Sequence, residues 1–301
     1  MRAINVTALD PETRATLRRL MDQLPAGKRG EPHRLTPLSG GSINRVYRVD
    51  CAGGMTLVFK YRRDAPGDFF AAERRGLQRL RETNTVLVPR ALAVDEKGIL
   101  LEWLPPAPGA DENEQGRRLG RALAALHEHT AAAYGLDHDN YIGLLPQTNR
   151  PNPSWTAFYR EQRLEPQVKL AHDRGRLTPQ RKQGLAKILD RLPQWIDEQA
   201  VAPSLLHGDL WAGNWLATQW GPALIDPAVY FGDPEVDLAM AALFGGFPRT
   251  FFEAYLEARP LPPGHEERRV LYQLYYLLIH LNLFGESYGS SVDAALRRLV
   301  R

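Results

Sequence analysis

Apolar and polar residues alternate along the first hundred residues of the chain and recur at helical spacing after that. Residues 35–49 are predicted to form two strands around a small-residue turn, 55–61 is predicted to form an alternating strand, and 86–89, 91–95 and 98–104 are predicted to continue the same antiparallel sheet. From about residue 110, apolar residues recur every three or four positions. The pattern therefore predicts an α+β protein with a small antiparallel sheet first and a mostly helical region second.

Individual helices are predicted from capping residues and apolar spacing. Asp10, followed by Pro11, suits the start of a first helix, and Asp68 opens a second. In the later region the predicted helices end at His127, span 155–170 and 180–199, begin at Asp233-Pro234, and span 270–284. The last of these is apolar nearly all round, which is typical of a helix buried in a core.

A proline-rich segment, Pro105-Pro106-Ala107-Pro108-Gly109, stands between the two patterns. Such a segment is stiff and suits a connection between lobes. We therefore predict an N-terminal lobe over 1–104, a hinge over 105–109 and a helical C-terminal lobe over 110–301.

Composition narrows the class of protein. The 301 residues are 44% hydrophobic and 24% charged, enough for two cores. The net charge of +3 comes from scattered arginines rather than a basic stripe, so nucleic-acid binding is not expected. Cys51 is the single cysteine, which excludes a disulfide framework and favours a reducing cytoplasm. No segment has the apolar length of a membrane span, and no membrane association is predicted.

One stretch carries the candidate chemistry. It reads His207-Gly208-Asp209-Leu210-Trp211-Ala212-Gly213-Asn214, and Asp226 follows after a predicted hairpin. Protein kinases space their catalytic Asp and Asn in the same way. We therefore predict that Asp209 deprotonates an attacking hydroxyl and that Asn214 and Asp226 hold Mg²⁺. The alternative is an ordinary polar turn between two buried strands.

The first lobe contains matching candidates for nucleotide binding. Gly40, Gly41 and Ser42 form a turn whose backbone N–H groups suit phosphates, although a Gly-Gly hairpin is often only a turn. Lys60 lies on an alternating strand and Glu73 on the next helix, the order in which kinases pair a lysine and a glutamate. Considered alone, each residue has an ordinary structural interpretation. Lys60 would be a charge at a strand edge, and Glu73 would form a solvated ion pair with a neighbouring arginine. Their order along the chain favours the kinase interpretation.

Two further interpretations depend on position alone. The backbone at Glu102, Trp103 and Leu104 is predicted to hydrogen-bond an adenine, because it ends the sheet at the predicted hinge. His127 and His129 form a lone H-x-H pair at a helix end, and without a third ligand they are interpreted as polar residues rather than metal ligands.

Three runs carry a family resemblance: HGDLWAGNW, IDPAVYFGDPEVDLAMAALFGGFP and LYQLYYLLIHLNLFG. With the SGGSINRVYRV turn, they closely resemble the fructosamine kinase (ketosamine-3-kinase) family. That family is a branch of the two-lobed protein-kinase-like fold shared with aminoglycoside phosphotransferases and choline kinases. The resemblance covers most of the chain, and Trp211 together with the GDPEVDLA and FGGF runs separates this branch from the wider pattern.

The resemblance implies a function and roles for residues. It implies ATP- and Mg²⁺-dependent phosphorylation of the 3-hydroxyl of ketosamines, small or protein-bound, which leads to their deglycation. It also implies that His207 and Asp237 brace the catalytic loop through hydrogen bonds. We expect a monomer.

Two alternatives stay open. One is a kinase of another small hydroxylated amine, such as an aminoglycoside or a choline-like compound. A flat ring at Trp211 favours the ketosamine instead, because aromatic faces suit the C–H faces of a sugar. The other is a non-catalytic nucleotide-binding module, which predicts the loss of Asp209, Asn214 or Asp226, whereas all three are present.

Overall fold

The structure, a computed structural model, describes residues 3–25, 30–38 and 43–300. The chain forms two compact units. Unit 1 comprises Met1–Ala110 and Leu216–Asp226, and unit 2 comprises Asp111–Trp215 and Pro227–Arg301. An antiparallel sheet dominates unit 1 and helices dominate unit 2, so the predicted α+β class is confirmed.

The sheet of unit 1 has six strands in the order β1-β2-β3-β4-β6-β5. Each neighbouring pair is antiparallel. The strands are β1 Ile4–Asn5, β2 Pro32–Pro37, β3 Arg45–Cys51, β4 Thr56–Tyr61, β5 Ala91–Asp95 and β6 Gly98–Glu102.

Two helices complete this part of unit 1, α1 Pro11–Asp22 and α2 Phe69–Glu82. The Asp10 side chain caps α1 by accepting from the N–H of Thr13, as its sequence predicts. Leu57, Phe59 and Tyr61 of β4 are buried in a core shared with α1. Because strand side chains alternate, Lys60 points to the opposite face of the sheet.

A later part of the chain returns to unit 1. β10 Trp215–Thr218 and β11 Gly221–Leu224 form the predicted hairpin. The N–H of Ala107 donates to the carbonyl of Ala217 at 3.0 Å, and the N–H of Leu224 donates to the carbonyl of Leu87 at 2.8 Å. Residues 216–226 therefore belong to unit 1. A single division of the chain at 105–109 does not include this return.

The prediction that residues 86–89 extend the antiparallel sheet is wrong. Leu87 instead makes an isolated parallel bridge to Ala223 of the hairpin. The apolar run is real, but its partner comes from more than a hundred residues downstream, which the local pattern does not reveal.

Unit 2 holds the remaining elements. Its strands form two antiparallel pairs, β7 Asn140–Ile142 with β8 Leu145–Gln147, and β9 Ser204–Leu206 with β12 Tyr230–Gly232. Its helices are α3 Glu112–His127, α4 Trp155–Tyr159, α5 Glu165–Asp173, α6 Pro179–Trp195, α7 Glu235–Leu243, α8 Arg249–Ala258, α9 His265–Phe284 and α10 Gly289–Leu299.

Close packing of α3 on the α8 region depends on two glycines. A Cβ on Gly120 would lie 2.2 Å from the carbonyl oxygen of Phe251, and one on Gly116 would lie 2.4 Å from Pro248 Cγ. Only glycine fits at this distance. α3 ends at His127, as predicted.

Other helix boundaries differ from the predictions. The helix predicted over 155–170 contains a π-helical turn at Arg160–Leu164 and continues to Asp173. The one predicted over 180–199 ends at Trp195, and the one predicted from 270 begins at His265. None of the helices in the described part of the chain has the length and apolar character needed to span a membrane.

Candidate functional site

Lys60 is the centre of a charge cluster in unit 1. Its side chain is buried on β4, and its Nζ lies 2.6 Å from Oε1 of Glu73 on α2. Nζ also forms an ion pair with Oδ1 of Asp226, at the end of the returning hairpin. The predicted Lys60–Glu73 contact is therefore present, and the solvated alternative for Glu73 does not apply, since its side chain is 10% exposed.

Two carboxylates share this one ammonium group. Burial acts to lower the pKa of Lys60, but the charges of Asp226 and Glu73 outweigh it and raise that pKa above its ordinary value. Lys60 therefore stays positively charged across the physiological pH range. The cluster keeps a fixed cation on the sheet face opposite the core.

Asp226 has an unusual backbone conformation. Its φ is +54°, and only one other non-glycine residue in the described part of the chain, Asn84, has a positive φ. Aspartate and asparagine tolerate this left-handed region better than most residues. The Asp226 side chain remains 40% exposed while it contacts Lys60. Its carboxylate is therefore open to solvent as well as to the buried lysine.

In unit 2, a buried carboxylate holds the loop that contains Asp209. Asp237 on α7 is fully buried and accepts from the backbone N–H groups of His207 and Gly208, at 2.7 and 2.9 Å. Gly208 has a φ of +82°, and a Cβ there would lie 2.1 Å from the carbonyl oxygen of Ala228. Tyr276 on α9 donates its hydroxyl to the Gly208 carbonyl at 2.8 Å. The bend before Asp209 is therefore held from both sides of its backbone.

His127 also belongs to this support, which its sequence context does not indicate. It is completely buried, its Nε2 lies 3.3 Å from Oδ2 of Asp237, and its Nδ1 lies 2.8 Å from the Tyr255 hydroxyl. Because a carboxylate oxygen accepts, Nε2 is the donor. The interpretation of His127 as a merely polar helix-end residue is therefore incomplete. The one signal in the sequence was the position of His127 four residues after Leu123, on the apolar face of the helix, and it did not identify the partner.

Asp209 and Asn214 lie together in the same loop. The side-chain amide of Asn214 donates to the Asp209 carbonyl at 2.8 Å and to the Asp209 carboxylate at 3.2 Å. A 3-10 turn at Ala212–Asn214 brings the two residues back together. Since the Asn214 nitrogen is used within the loop, its carbonyl oxygen is the atom suited to a cation.

The ring of Trp211 lies over its own loop. A Cβ on Gly213 would lie 2.2 Å from the Trp211 ring, so the ring covers the Cα of that glycine. Trp211 is half-buried. One ring face is therefore backed by backbone, a geometry compatible with the predicted shelf for a sugar.

A buried amide network holds the strand that follows Asp226 and Pro227. Gln147 donates to the Ala228 carbonyl at 3.2 Å, and Asn140 donates to the Val229 carbonyl at 2.8 Å. Arg163, in the π-helical turn, lies 3.8 Å from the centroid of the Tyr230 ring. These polar residues are scattered over residues 140–163 without a periodic pattern, so the sequence does not predict this network.

The residues predicted to bind adenine lie at the end of the sheet of unit 1, where β6 ends at Glu102. The N–H of Glu102 donates to the Arg90 carbonyl at 2.8 Å. The Arg48 guanidinium lies 5.0 Å from the centroid of the Trp103 ring, and Leu104 is buried. Adenine binding by this backbone stays a prediction. Gly40, Gly41 and Ser42 of the predicted phosphate turn lie outside the described residues.

Each of the two predicted metal ligands has an oxygen atom of the kind that a magnesium ion binds. Asp226 offers a carboxylate and Asn214 a carbonyl oxygen, and Mg²⁺ prefers oxygen ligands. No group of three or more His, Cys, Asp or Glu side chains able to hold an ion occurs among residues 3–25, 30–38 and 43–300. Mg²⁺ usually takes one or two protein oxygens and completes its shell with phosphates and water, so binding of Mg²⁺ does not require a group of three such side chains.

Comparison with known proteins gives a consistent result. The family model of fructosamine kinase matches residues 15–301. A probable ketoamine kinase of Enterococcus faecium is 40% identical over 268 residues, which cover 87% of this chain and 94% of that protein. The crystal structure of a putative fructosamine-3-kinase from Thermobifida fusca superposes with a TM-score of 0.84 at 34% identity, covering 96% of this chain and 99% of that one.

A more distant structure shares the fold alone. The gentamicin complex of APH(2")-IIa has a TM-score of 0.63 at 14% identity and covers 97% of this chain and 96% of its own. The predicted protein-kinase-like fold is therefore confirmed.

Proposed function

This chain belongs to the fructosamine kinase family and is a phosphotransferase, and from that premise we propose that it transfers the γ-phosphoryl group of ATP to the 3-hydroxyl of ketosamines. The observation that carries the proposal is the Asp209 loop. The Asp209 carboxylate accepts a hydrogen bond from Asn214. The backbone N–H groups just before Asp209 donate to the buried Asp237. A general base needs this kind of fixed position to act on a bound hydroxyl.

Each residue has a defined part in the proposed reaction. Asp209 accepts the proton of the 3-hydroxyl while that oxygen bonds to the γ-phosphorus, and the bond to the bridging oxygen of ADP breaks. Lys60, held by Glu73, binds the α and β phosphates through its fixed positive charge. Asn214 and Asp226 would hold Mg²⁺, which supplies neutralisation of charge on the phosphoryl group.

Other residues of the site have supporting parts. His207 and Asp237 keep the loop in its bent conformation. In this proposal the phosphates also contact the turn formed by Gly40, Gly41 and Ser42. The adenine is bound by the backbone of Glu102, Trp103 and Leu104. Trp211 lies against the sugar. The 3-phosphorylated ketosamine then sheds its sugar, so the amine is deglycated. Ketosamines of small sugars whose rings open readily, such as ribulosamines, are the proposed better acceptors. The protein acts as a monomer in the cytoplasm in this proposal.

Product identification tests this function directly. The protein is incubated with Mg-ATP and ribulosyl-lysine or fructosyl-lysine, with an aminoglycoside and choline as alternative acceptors, and phosphorus NMR locates the new ester. We expect the ester on O3 of the ketosamine. An ester on an aminoglycoside or choline alone would reject the ketosamine, and ATP binding without any ester would favour the non-catalytic module.

A matched variant links this result to the site. Asp209→Asn keeps the shape of the side chain but removes the proton acceptor, so kcat should fall by about 10² to 10⁴. Its ATP affinity, measured by calorimetry, should stay unchanged. Full turnover with a raised KM for ATP would instead make Asp209 a nucleotide contact.

A further inference from the structure

Four aromatic side chains of unit 2 meet at the C-terminal end of α9. His280 is central, with ring centroids 4.8 Å from Phe244, 4.9 Å from Tyr288 and 5.6 Å from Phe284. We refer to these four residues as the aromatic cluster. Phe244 and Phe284 are 42% and 47% exposed, although only five large hydrophobic side chains are exposed in the part of the chain that the structure describes. Burial in the core therefore does not account for these two rings.

The aromatic cluster is connected to the loop of the proposed base. His280 Nδ1 donates to the carbonyl of Tyr276 at 2.8 Å, and the Tyr276 hydroxyl donates to the carbonyl of Gly208 at 2.8 Å. On the other side, a Cβ on Gly246, two residues after Phe244, would lie 2.6 Å from the Cβ of Ala212. Tyr276, one turn before His280, and Gly246, two residues after Phe244, therefore contact residues 208–212, the stretch that contains the proposed base.

The hydrogen bond of His280 determines which nitrogen is available to a ligand. A carbonyl oxygen only accepts, so Nδ1 carries the proton in that bond. Burial lowers the pKa of His280 below its ordinary value, against the opposite effect of the Tyr276 carbonyl, so the ring is neutral at neutral pH. Nε2 is then an acceptor.

These features suit a protonated amine. Aromatic faces attract a cation through the ring quadrupole, and a neutral imidazole accepts an N–H without repelling the charge. The carboxylate of the turn at 286–288 is not the partner for such a cation, because Glu286 is held by Arg181 at 2.8 Å. Recognition here would rest on rings and one acceptor nitrogen rather than on a salt bridge.

We propose that the aromatic cluster binds the protonated amine of the acceptor, with His280 Nε2 accepting its N–H and the rings of Phe244, Phe284 and Tyr288 surrounding the charge. This inference rests on the proposed function, since a ketosamine carries its nitrogen on C1, close to the hydroxyl on C3 that is phosphorylated. Trp211 then contacts the sugar and the aromatic cluster contacts the amine.

Acceptors with and without the charge test the inference. A ketosamine with a secondary amine is compared with the corresponding 1-deoxyketose, which lacks nitrogen, and with the N-acetylated ketosamine, which is neutral. Phe284→Leu and Phe244→Leu keep apolar volume but remove the aromatic face. Each should lower kcat/KM for the charged acceptor by about threefold to thirtyfold and leave the neutral acceptors and ATP unchanged. If the neutral acceptors are not turned over, their inhibition constants supply the comparison.

Further variants identify the acceptor nitrogen and control for surface changes. His280→Gln keeps an acceptor and should retain more activity toward the charged ketosamine than His280→Leu. Leu256→Ala changes an exposed apolar side chain of α8 that lies outside the aromatic cluster. It should leave kcat/KM unchanged for every acceptor. If these variants lose kcat/KM with ketosamines of both methylamine and lysine, the aromatic cluster binds the nitrogen that carries the sugar. If they lose it with the lysine ketosamine alone, the aromatic cluster binds the second amine of lysine.

The outcomes separate the two proposals. Equal losses for charged and neutral acceptors would overturn the inference and leave the aromatic cluster as packing. A wild-type protein that phosphorylates no ketosamine would overturn the proposed function itself. Thermal melting of each variant checks that a loss does not come from unfolding.

Discussion

The charged groups of the two units are held in different ways. In unit 1, Lys60, Glu73 and Asp226 pair through their side chains, and Asp226 stays 40% exposed on a left-handed backbone. In unit 2, the carboxylate of Asp237 is fully buried and binds backbone N–H groups. The exposed carboxylate is accessible to solvent, as the proposed metal ligand must be, whereas the buried one holds the backbone of a loop. Loss of the first should reduce chemistry, and loss of the second should reduce stability.

Asp226→Asn gives the largest expected effect on activity. Asparagine tolerates the left-handed backbone as aspartate does, so the substitution removes the charge without adding strain. The loss of a metal-binding carboxylate should lower kcat by about 10³ or more, because metal stabilisation of transition-state charge is worth several kcal/mol. Steady-state kinetics measures this, and thermal melting should show an intact fold. Undiminished turnover would remove Asp226 from the metal site.

Asp237→Ala should act on stability first. It leaves the N–H groups of His207 and Gly208 buried without their acceptor, at about 1 to 3 kcal/mol for each group. The free energy of unfolding, measured with urea, should therefore fall by about 2 to 6 kcal/mol. Asp190→Ala, on the exposed face of α6, is the matched control and should change stability little. Wild-type stability in Asp237→Ala would show that the comparison between the units is wrong.

Trp211 and Gly213 provide a pair of variants with a smaller effect, on the acceptor alone. Trp211→Ala removes the ring, and Gly213→Ala displaces it, because a Cβ would lie 2.2 Å from the ring. Loss of one aromatic contact with a sugar should lower kcat/KM for the ketosamine by about tenfold to a hundredfold. The KM for ATP should stay constant. Equal losses for ATP and ketosamine would reject the shelf.

The smallest predicted effect concerns the pH dependence of stability in unit 2. Burial, together with the nearby Glu235, raises the pKa of Asp233 to about 6. A raised pKa in the folded state means that the folded protein binds the proton more tightly than the unfolded chain. This contribution to stability is fully present below about pH 4 and is lost as the pH rises through about 6.

Asp233→Asn should remove that dependence. Urea unfolding at pH 4.5 and pH 7 should show the variant gaining in stability relative to the wild type as the pH rises. The ammonium group of Lys60 offers a contrast within the same molecule, since its raised pKa keeps it charged throughout this interval. A difference between variant and wild type that does not change with pH would contradict the assignment to Asp233.

Predictions from short-range pattern were confirmed where a single element decides the outcome. Asp10 caps α1, Lys60 lies on an alternating strand, and α3 ends at His127. The spacing of Asp209 and Asn214 also placed both in one loop. Residues 86–89 show where this reasoning fails, because their pattern is that of a strand while their partner is a hairpin far along the chain.

The amino-acid sequence by itself determined the local elements, the order of the candidate residues and the family resemblance. Alternation, capping and motif spacing involve residues that are close in sequence, so they can be identified without knowledge of the tertiary structure. Only the tertiary structure decided that Asp237 holds the backbone thirty residues before it, that His127 reaches Asp237 from α3, and that residues 216–226 return to unit 1. These contacts join distant segments and depend on how buried elements pack, because a buried polar group takes its partner from whatever the packing places within hydrogen-bond distance.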